Sequence, residues 1–213
     1  MKQPARRGRP PKVRGDDQDV RTALIRKGVE LMTGQGFLAT GLEPLLSSVG
    51  VPKGSFYHYF ESKEAFGLAV IEAYGRYFMK RLNRYFEATD ITPLARLDAF
   101  IESAITGMQK YAFERGCLVG NLGQEVNLLP ASHQQALEQM LNDWQLRLTH
   151  LLQEAVEVGE LAAESWKKPQ REELSAFFWI GWEGAVLRAR LQKSEMPLRI
   201  FSRQFCALLH SPD

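Results

Sequence analysis

A run of small and hydrogen-bonding side chains between residues 53 and 58 has the chemistry needed to contact DNA. Its members are Lys53, Gly54, Ser55, Tyr57 and His58. Lysine and hydroxyl groups bind phosphate oxygens, and short polar side chains reach base edges in the major groove. A helix face that only meets water more often carries Glu and Lys four residues apart. The run therefore indicates a surface that binds a nucleic acid.

The elements that would position this run have the form of a helix-turn-helix over about 41–60. Gly50 suits a turn that needs a left-handed backbone. Apolar residues stand where two crossed helices must pack: Leu45, Val49, Val51, Phe56 and Tyr59. Thr40 and Glu43 have the spacing of a capping box, which predicts a short helix from about residue 42. A helix-loop-helix corner of a bundle has the same apolar spacing, and the polar run favours the DNA-binding alternative.

Apolar residues recur at helical spacing through most of the remaining chain. Asp19 is expected to cap the first helix, which ends at Gly34, and Ser62 to cap a fourth helix running to about Ala88. Later helices are expected at about 92–112, 118–128, 132–158, 170–193 and 196–209. No segment alternates long enough to predict a strand. The pattern predicts an all-α fold of about nine helices.

The basic charge is concentrated at the beginning of the chain. The 213 residues include 27 basic and 25 acidic side chains, a net charge of +2, but residues 1–78 carry +4 and the remainder −2. Within the first 16 residues, which suggest a flexible basic arm, Arg7-Gly8-Arg9 suits insertion into a narrow minor groove. The alternative is a tail that gives only nonspecific, salt-sensitive attraction to DNA.

The stretch from Val51 to Phe66 resembles the recognition helix, and the start of the helix after it, in TetR-family transcriptional regulators. Gly36-Phe37 and Thr40 also match the first turn of that family. The resemblance implies a homodimer that places one recognition helix of each subunit in the major groove of a palindromic operator. Carried over, it implies that Tyr57 and His58 contact phosphates or base edges and that Lys53 and Ser55 reach the groove. It also implies that Thr40 and Lys63 anchor phosphates at helix N-termini.

The same resemblance divides the chain after the arm into two parts. Residues 18–78 would form the DNA-binding domain, and residues 79–213 a domain that binds a ligand and dimerises through the last two helices. The apolar residues expected at that interface are Phe177, Phe178, Ile180, Leu187, Leu191, Ile200, Phe201 and Phe205. Packing within one subunit is the alternative.

Two further runs resemble one subgroup of the family. The run from Arg115 to Glu125 is similar to the start of the sixth helix, and the run from Phe178 to Arg190 to the eighth, in AcuR-type and NemR-type repressors. The AcuR type responds to acrylate and the NemR type to reactive electrophiles. The implied effector is therefore acrylate or a related unsaturated acid or thioester.

A small carboxylate requires a cation and an apolar pocket. The cation could come from Arg115, Arg147, Arg188 or Arg190, and the walls from Tyr111, Trp144, Trp179 or Trp182. The candidate effector residues are Cys117, Asn121, Trp144, Trp182 and Arg190.

Cys117 supports a second possibility, a repressor that senses electrophiles through a thiolate. A helix N-terminus and a nearby cation would favour that thiolate. The relatives often have Lys where this chain has Arg190, and arginine cannot exchange protons as lysine does, which weakens this version. A third alternative is that Cys117 is a small buried hydrophobe, and Cys206 is expected to be structural.

Other classes of protein are disfavoured by what the sequence lacks. Its two cysteines lie 89 positions apart, which supports neither a disulfide framework nor a zinc site, and nothing indicates a cofactor. Fingerprints of hydrolases, P-loop proteins and dinucleotide-binding enzymes are absent, so no catalytic activity is expected. With no apolar run of 18 residues and no signal peptide, the chain is expected to avoid membranes and to remain in the cytoplasm.

Overall fold

The computed structural model describes residues 14–210, with side chains from Asp17 onward. Over this range the chain forms nine α-helices and two 3-10 turns, with no strand, which confirms the all-α prediction. The helices are α1 (Arg14–Gln35), α2 (Leu42–Val49), α3 (Phe56–Tyr59), α4 (Lys63–Phe86), α5 (Pro93–Lys110), α6 (Leu118–Gly123), α7 (Ala131–Glu157), α8 (Lys168–Gln192) and α9 (Met196–His210). The 3-10 turns cover Lys53–Ser55 and Val126–Leu128.

Helices α1 to α3 pack on the first half of α4 around a small aromatic core. Phe56 and Phe60 are buried and meet Phe66 of α4 with ring centroids 5.8 and 5.0 Å away. Helix α1 approaches α4 so closely that a Cβ added at Gly28 would lie 2.6 Å from side-chain atoms of both Phe66 and Val70. The glycine therefore sets the distance at which α1 supports the helices that follow it.

Helix α4 connects the two halves of the molecule without a break. The Ser62 hydroxyl accepts a hydrogen bond from the Ala65 amide at 2.9 Å, as expected of a cap. Apolar and aromatic residues at helical spacing are buried along the whole helix: Phe66, Val70, Tyr74, Phe78, Leu82 and Phe86. Residue 78, the predicted domain boundary, lies inside α4, so a single rigid element runs through both halves.

The second half has its own aromatic core between α4, α5, α7 and α8. The rings of Phe78 and Trp144 are 4.0 Å apart between centroids, and Trp179 lies 5.1 Å from Trp144. Phe100 and Phe178 complete this cluster and are fully buried.

Three local predictions were wrong. Helix α1 begins at Arg14 rather than at an Asp19 cap, and Asp17 favours the earlier start because a negative charge interacts favourably with the positive N-terminal end of the helix dipole. The N-cap of α2 is Gly41 without a side-chain cap, because the Thr40 hydroxyl instead donates to the Gly36 carbonyl at 2.6 Å. The helix predicted at 118–128 is interrupted after Gly123.

None of the helices within residues 14–210 is long and apolar enough to cross a membrane.

Candidate DNA-binding surface and ligand cleft

The turn before α3 has the left-handed geometry that the sequence predicts. Gly50 has φ 71°, and the backbone amides of Gly50 and Val51 donate to carbonyls at the end of α2, Ser47 and Leu46, at 3.1 and 3.0 Å. This arrangement satisfies the last carbonyls of α2 and ends the helix within one residue. It also sets the direction in which α3 leaves the turn.

The polar run around α3 faces outward, opposite the buried Phe56 and Phe60. Tyr57 is 69% exposed, Lys53, Gly54 and His58 are also exposed, and Ser55 is partly covered. Two of these side chains have acidic neighbours. Lys53 Nζ lies 2.9 Å from a Glu43 carboxylate oxygen, and His58 Nε2 lies 3.4 Å from Asp17 Oδ2. A phosphate would have to compete with these carboxylates for the two groups.

The other residues predicted to contact DNA differ in their burial and in their hydrogen bonds. Thr40 is fully buried and its hydroxyl is engaged with Gly36, so the side chain is not presented to a ligand. Lys63 lies at the start of α4, where its Nζ donates to the Leu38 carbonyl at 3.3 Å and sits 4.9 Å from the Phe37 ring centroid. Arg7 and Arg9 lie outside the described residues.

A large cleft runs along α4 in the second half of the molecule, bordered by the C-terminal half of α5 and by α7. Its volume is about 1440 Å³. Tyr74, Phe78 and Trp144 contribute aromatic surface to it, and Tyr111 and Arg115 also line it, with the Arg115 guanidinium 4.4 Å from the Tyr111 ring centroid. The combination of aromatic walls and cations is suited to an organic anion.

Only one of the two candidate tryptophans lines this cleft. Trp144 is buried, and its indole Nε1 has no hydrogen-bond partner among the described residues. Trp182 instead packs in the core between α8 and α9, stacked on Phe178 at 5.8 Å and 6.2 Å from Phe201. Trp182 therefore does not line this cleft, and its contact with the effector stays a prediction.

Cys117 stands just before α6, between the cleft and a second, smaller cavity. The Tyr74 hydroxyl donates to its Sγ at 3.7 Å. Cys117, Asn121, Glu183 and Arg190 line the smaller cavity, whose volume is about 200 Å³. Burial and the nearby Glu183 carboxylate raise the pKa of the Cys117 thiol well above its ordinary value. These surroundings oppose the thiolate that an electrophile sensor needs.

Asn121 and Arg190 connect this second half to the end of α1. Asn121 Nδ2 donates to the carbonyls of Met32 and Thr33 at 3.1 and 2.7 Å. Arg190 donates to the Gly34 carbonyl at 2.6 Å and also to the side-chain oxygen of Asn121. We call these two side chains with their α1 carbonyls the α1 clamp. Both residues were predicted as effector contacts, and the structure gives each of them this connection to α1 as well.

Two features of the site were missed from the sequence. Glu183 is largely enclosed, and no regular spacing distinguishes it. Arg76, Lys80 and Arg84, which border the cleft, could have been recognised, because basic residues at spacing four lie on one face of a helix.

The last two helices carry an exposed apolar stripe. On α8, Ile180 is 74% and Leu191 is 77% exposed, with the exposed Gly184 and Leu187 between them. Ile200 and Leu208 extend the exposed apolar surface onto α9, whereas Phe178 and Phe205 are core residues of the single chain. Apolar side chains exposed beside one another on two helices are typical of an interaction surface.

Both halves of the chain match families of known proteins. Residues 24–70 match the family "Bacterial regulatory proteins, tetR family", and residues 93–205 match the family "Tetracyclin repressor-like, C-terminal domain". The chain is 46% identical to the transcriptional regulator AcuR of Cereibacter sphaeroides, over 95% of this chain and 90% of that protein. It is 31% identical to the repressor NemR of Escherichia coli, over 85% of this chain and 89% of that one.

A crystal structure of a regulatory protein TetR from Rhodobacter sphaeroides has the same fold. Its TM-score is 0.82 at 46% identity, covering 87% of this chain and 96% of that one. The reduced form of Escherichia coli NemR is also similar, with a TM-score of 0.79 at 28% identity, over 88% of this chain and 95% of that one.

Proposed function

Because the chain belongs to the TetR family of DNA-binding transcriptional regulators rather than to a family of enzymes, we propose that it is a homodimeric repressor. In this proposal residues 18–78 bind a palindromic operator, and residues 79–213 bind the effector and the partner subunit. A small molecule bound in the cleft along α4 releases the DNA. The protein acts in the cytoplasm, where its operator is.

The outward-facing polar run at α3 carries the DNA-binding half of the proposal. Phe56 and Phe60 fix the helix on its buried side, so Lys53, Tyr57 and His58 project together from the other. Residues at the beginning of a recognition helix are those that reach base edges, with neighbouring groups on phosphates. In the dimer, two such helices would bind half-sites about 34 Å apart.

The subgroup resemblance supports an unsaturated acid or its thioester as the effector. The cleft supplies Arg115 as a cation and Tyr74 and Trp144 as walls. Release requires only that the effector bind the DNA-free conformation more tightly. A hundredfold difference in its affinity for the two states corresponds to about 2.7 kcal/mol.

Operator binding tests the DNA-binding part of the proposal. In a fluorescence-anisotropy titration with a duplex selected from random DNA, we expect Tyr57→Ala to weaken specific binding by about 1–3 kcal/mol. Tyr77→Ala is the matched control, because Tyr77 is also an exposed tyrosine but lies on α4 near the cleft. Equal affinities of the two variants would contradict the assignment of α3 as the DNA-contacting helix.

Release of DNA on addition of effector tests the ligand-binding part of the proposal. It also distinguishes noncovalent sensing from covalent sensing at Cys117. A noncovalent effector should still dissociate Cys117→Ser from the operator at the wild-type concentration. Loss of release in that variant, with an intact cleft, would favour the electrophile sensor in its place.

A further inference from the structure

The solvent-facing side of α4 carries a row of basic side chains that the proposed DNA contacts do not use. Arg76, Lys80 and Arg84 follow one another at spacing four and are all exposed. Like charges at this spacing destabilise a helix. A Glu72 carboxylate oxygen lies 3.8 Å from the Arg76 guanidinium. Among residues 17–210 no carboxylate forms an ion pair with Lys80 or Arg84. The row therefore has a cost in stability that a bound anion would offset.

This row borders the cleft, whose lining is strongly basic. Six basic residues line it: Arg76, Lys80, Arg81, Arg84, Lys110 and Arg115. Its three acidic residues are already engaged. Glu72 faces Arg76, Glu87 lies 3.3 Å from Arg147, and Asp143 accepts a hydrogen bond from Gln139 at 2.8 Å. Glu72 thus pairs with one member of the row, and basic side chains still outnumber acidic ones in the lining by three.

The lining of the cleft offers apolar surface and one unused donor. Trp144 and Phe78 form part of the lining, and the indole N–H of the fully buried Trp144 has no hydrogen-bond partner among the described residues. A buried donor without a partner carries a desolvation cost, which a ligand carbonyl would remove. The cleft thus combines an apolar part that contains a donor with an exposed cationic row.

The dimensions of the molecule separate this row from the DNA surface. Arg76 and Arg84 lie 14 and 22 residues beyond Ser62, which at 1.5 Å per residue places them roughly 20 to 30 Å along α4. The cleft volume of about 1440 Å³ also exceeds what a three-carbon acid can fill. The distance favours a ligand other than the DNA bound at α3, and the volume favours one larger than a three-carbon acid.

We propose that the cleft binds an amphipathic polyanion, in which phosphate groups are joined to a short acyl chain, as in a coenzyme A thioester. The phosphates lie beside Arg76, Lys80 and Arg84, and the acyl carbonyl accepts from the Trp144 indole. This assignment rests on the proposed function, because it assumes that the effector binds in the cleft.

Isothermal titration of the full chain with acryloyl-coenzyme A, coenzyme A and acrylate tests the assignment without requiring DNA. We expect the thioester to bind at least about tenfold more tightly than acrylate, with an affinity that falls as salt is added. In Lys80→Gln/Arg84→Gln the affinity for the thioester should fall about tenfold, since two of the three charges beside the phosphates are removed. Lys167→Gln/Lys168→Gln removes two exposed cations outside the cleft and should change it less than about twofold.

Other outcomes would overturn the proposal in distinguishable ways. Equal binding of acrylate and the thioester, unaffected by Lys80→Gln/Arg84→Gln, would reject the polyanion and leave regulation by a small acid standing. Equal binding of coenzyme A and its thioester would reject the acyl assignment. Competition by a random DNA duplex for the same sites would identify the row as a nucleic-acid surface. If none of the three compounds binds, both the polyanion and acrylate are rejected as effectors.

Discussion

At the scale of single residues, the least expected group is the Glu183 carboxyl beside Cys117. Its Oε2 atom is buried without a hydrogen-bond partner among the described residues. Burial raises the pKa of Glu183 to about 7, against the opposing influence of the Cys117 thiol and the Gly120 amide. A group in such an environment links stability to pH near neutrality.

Replacing Glu183 by Gln should therefore change how stability depends on pH. The native carboxyl holds its proton up to about pH 7, whereas the unfolded one loses it near its ordinary pKa of 4.5. Its favourable contribution is complete below pH 4.5 and is lost as pH rises through 7. Relative to wild type, Glu183→Gln should gain up to about 3 kcal/mol of stability between pH 4.5 and 8.

Urea unfolding of both proteins at four pH values measures this difference. Glu173→Gln, an exposed carboxylate on the same helix, is the control and should follow wild type throughout. A Glu183→Gln curve parallel to wild type would mean that the native carboxyl titrates normally.

Residue types predicted the outward face of α3 well and the buried polar groups poorly. The exposure of Lys53, Tyr57 and His58 follows from the position of Phe56 in the apolar pattern. The burial of Thr40 does not follow from that pattern. Its hydroxyl donates to the Gly36 carbonyl, which has no partner within the preceding helix. Such local competition for hydrogen bonds has no periodic signal in the sequence.

At the scale of helices, the α1 clamp joins segments that are far apart in sequence. Asn121 is 88 residues from Thr33, and Arg190 is 156 residues from Gly34. The last carbonyls of a helix lack partners within it, and here side chains of the second half supply them. Apolar spacing predicted where the helices lie, but polar contacts over such separations could not be predicted from spacing.

Asn121→Ala should weaken this connection between the halves. The substitution removes the two hydrogen bonds that Asn121 donates to the Met32 and Thr33 carbonyls and the one that it accepts from Arg190. We expect this to cost about 1–3 kcal/mol in the free energy of unfolding. The same variant should show a smaller effector-induced change in operator affinity, because α1 supports the helix-turn-helix. Chemical denaturation and DNA titration with and without effector measure both.

Asn127→Ala is the matched control, since Asn127 is exposed in the turn that follows α6. If Asn121→Ala and Asn127→Ala behave alike in both measurements, the α1 clamp does not couple the halves.

At the scale of the whole molecule, the net charge of +2 conceals an asymmetry that the structure arranges along α4. The first 78 residues carry +4 and include the α3 surface, while the remainder carries −2 overall yet contributes five of the six basic residues that line the cleft. Because α4 is continuous, a shift of its second half caused by an anion in the cleft would reach the first half. This gives the proposed release of DNA a physical route.

The exposed stripe on α8 gives the last prediction, which concerns assembly. In a twofold interface each substitution occurs twice, and a buried carboxylate without a partner is costly. We therefore expect Ile180→Glu/Leu191→Glu to elute with the mass of one chain in light-scattering chromatography, where wild type has the mass of two. Operator affinity should fall with it, because a monomer cannot bind both half-sites at once. Leu146→Glu places the same charge at an exposed leucine of α7 and should remain dimeric, so dimers of all three proteins would show that subunits meet elsewhere.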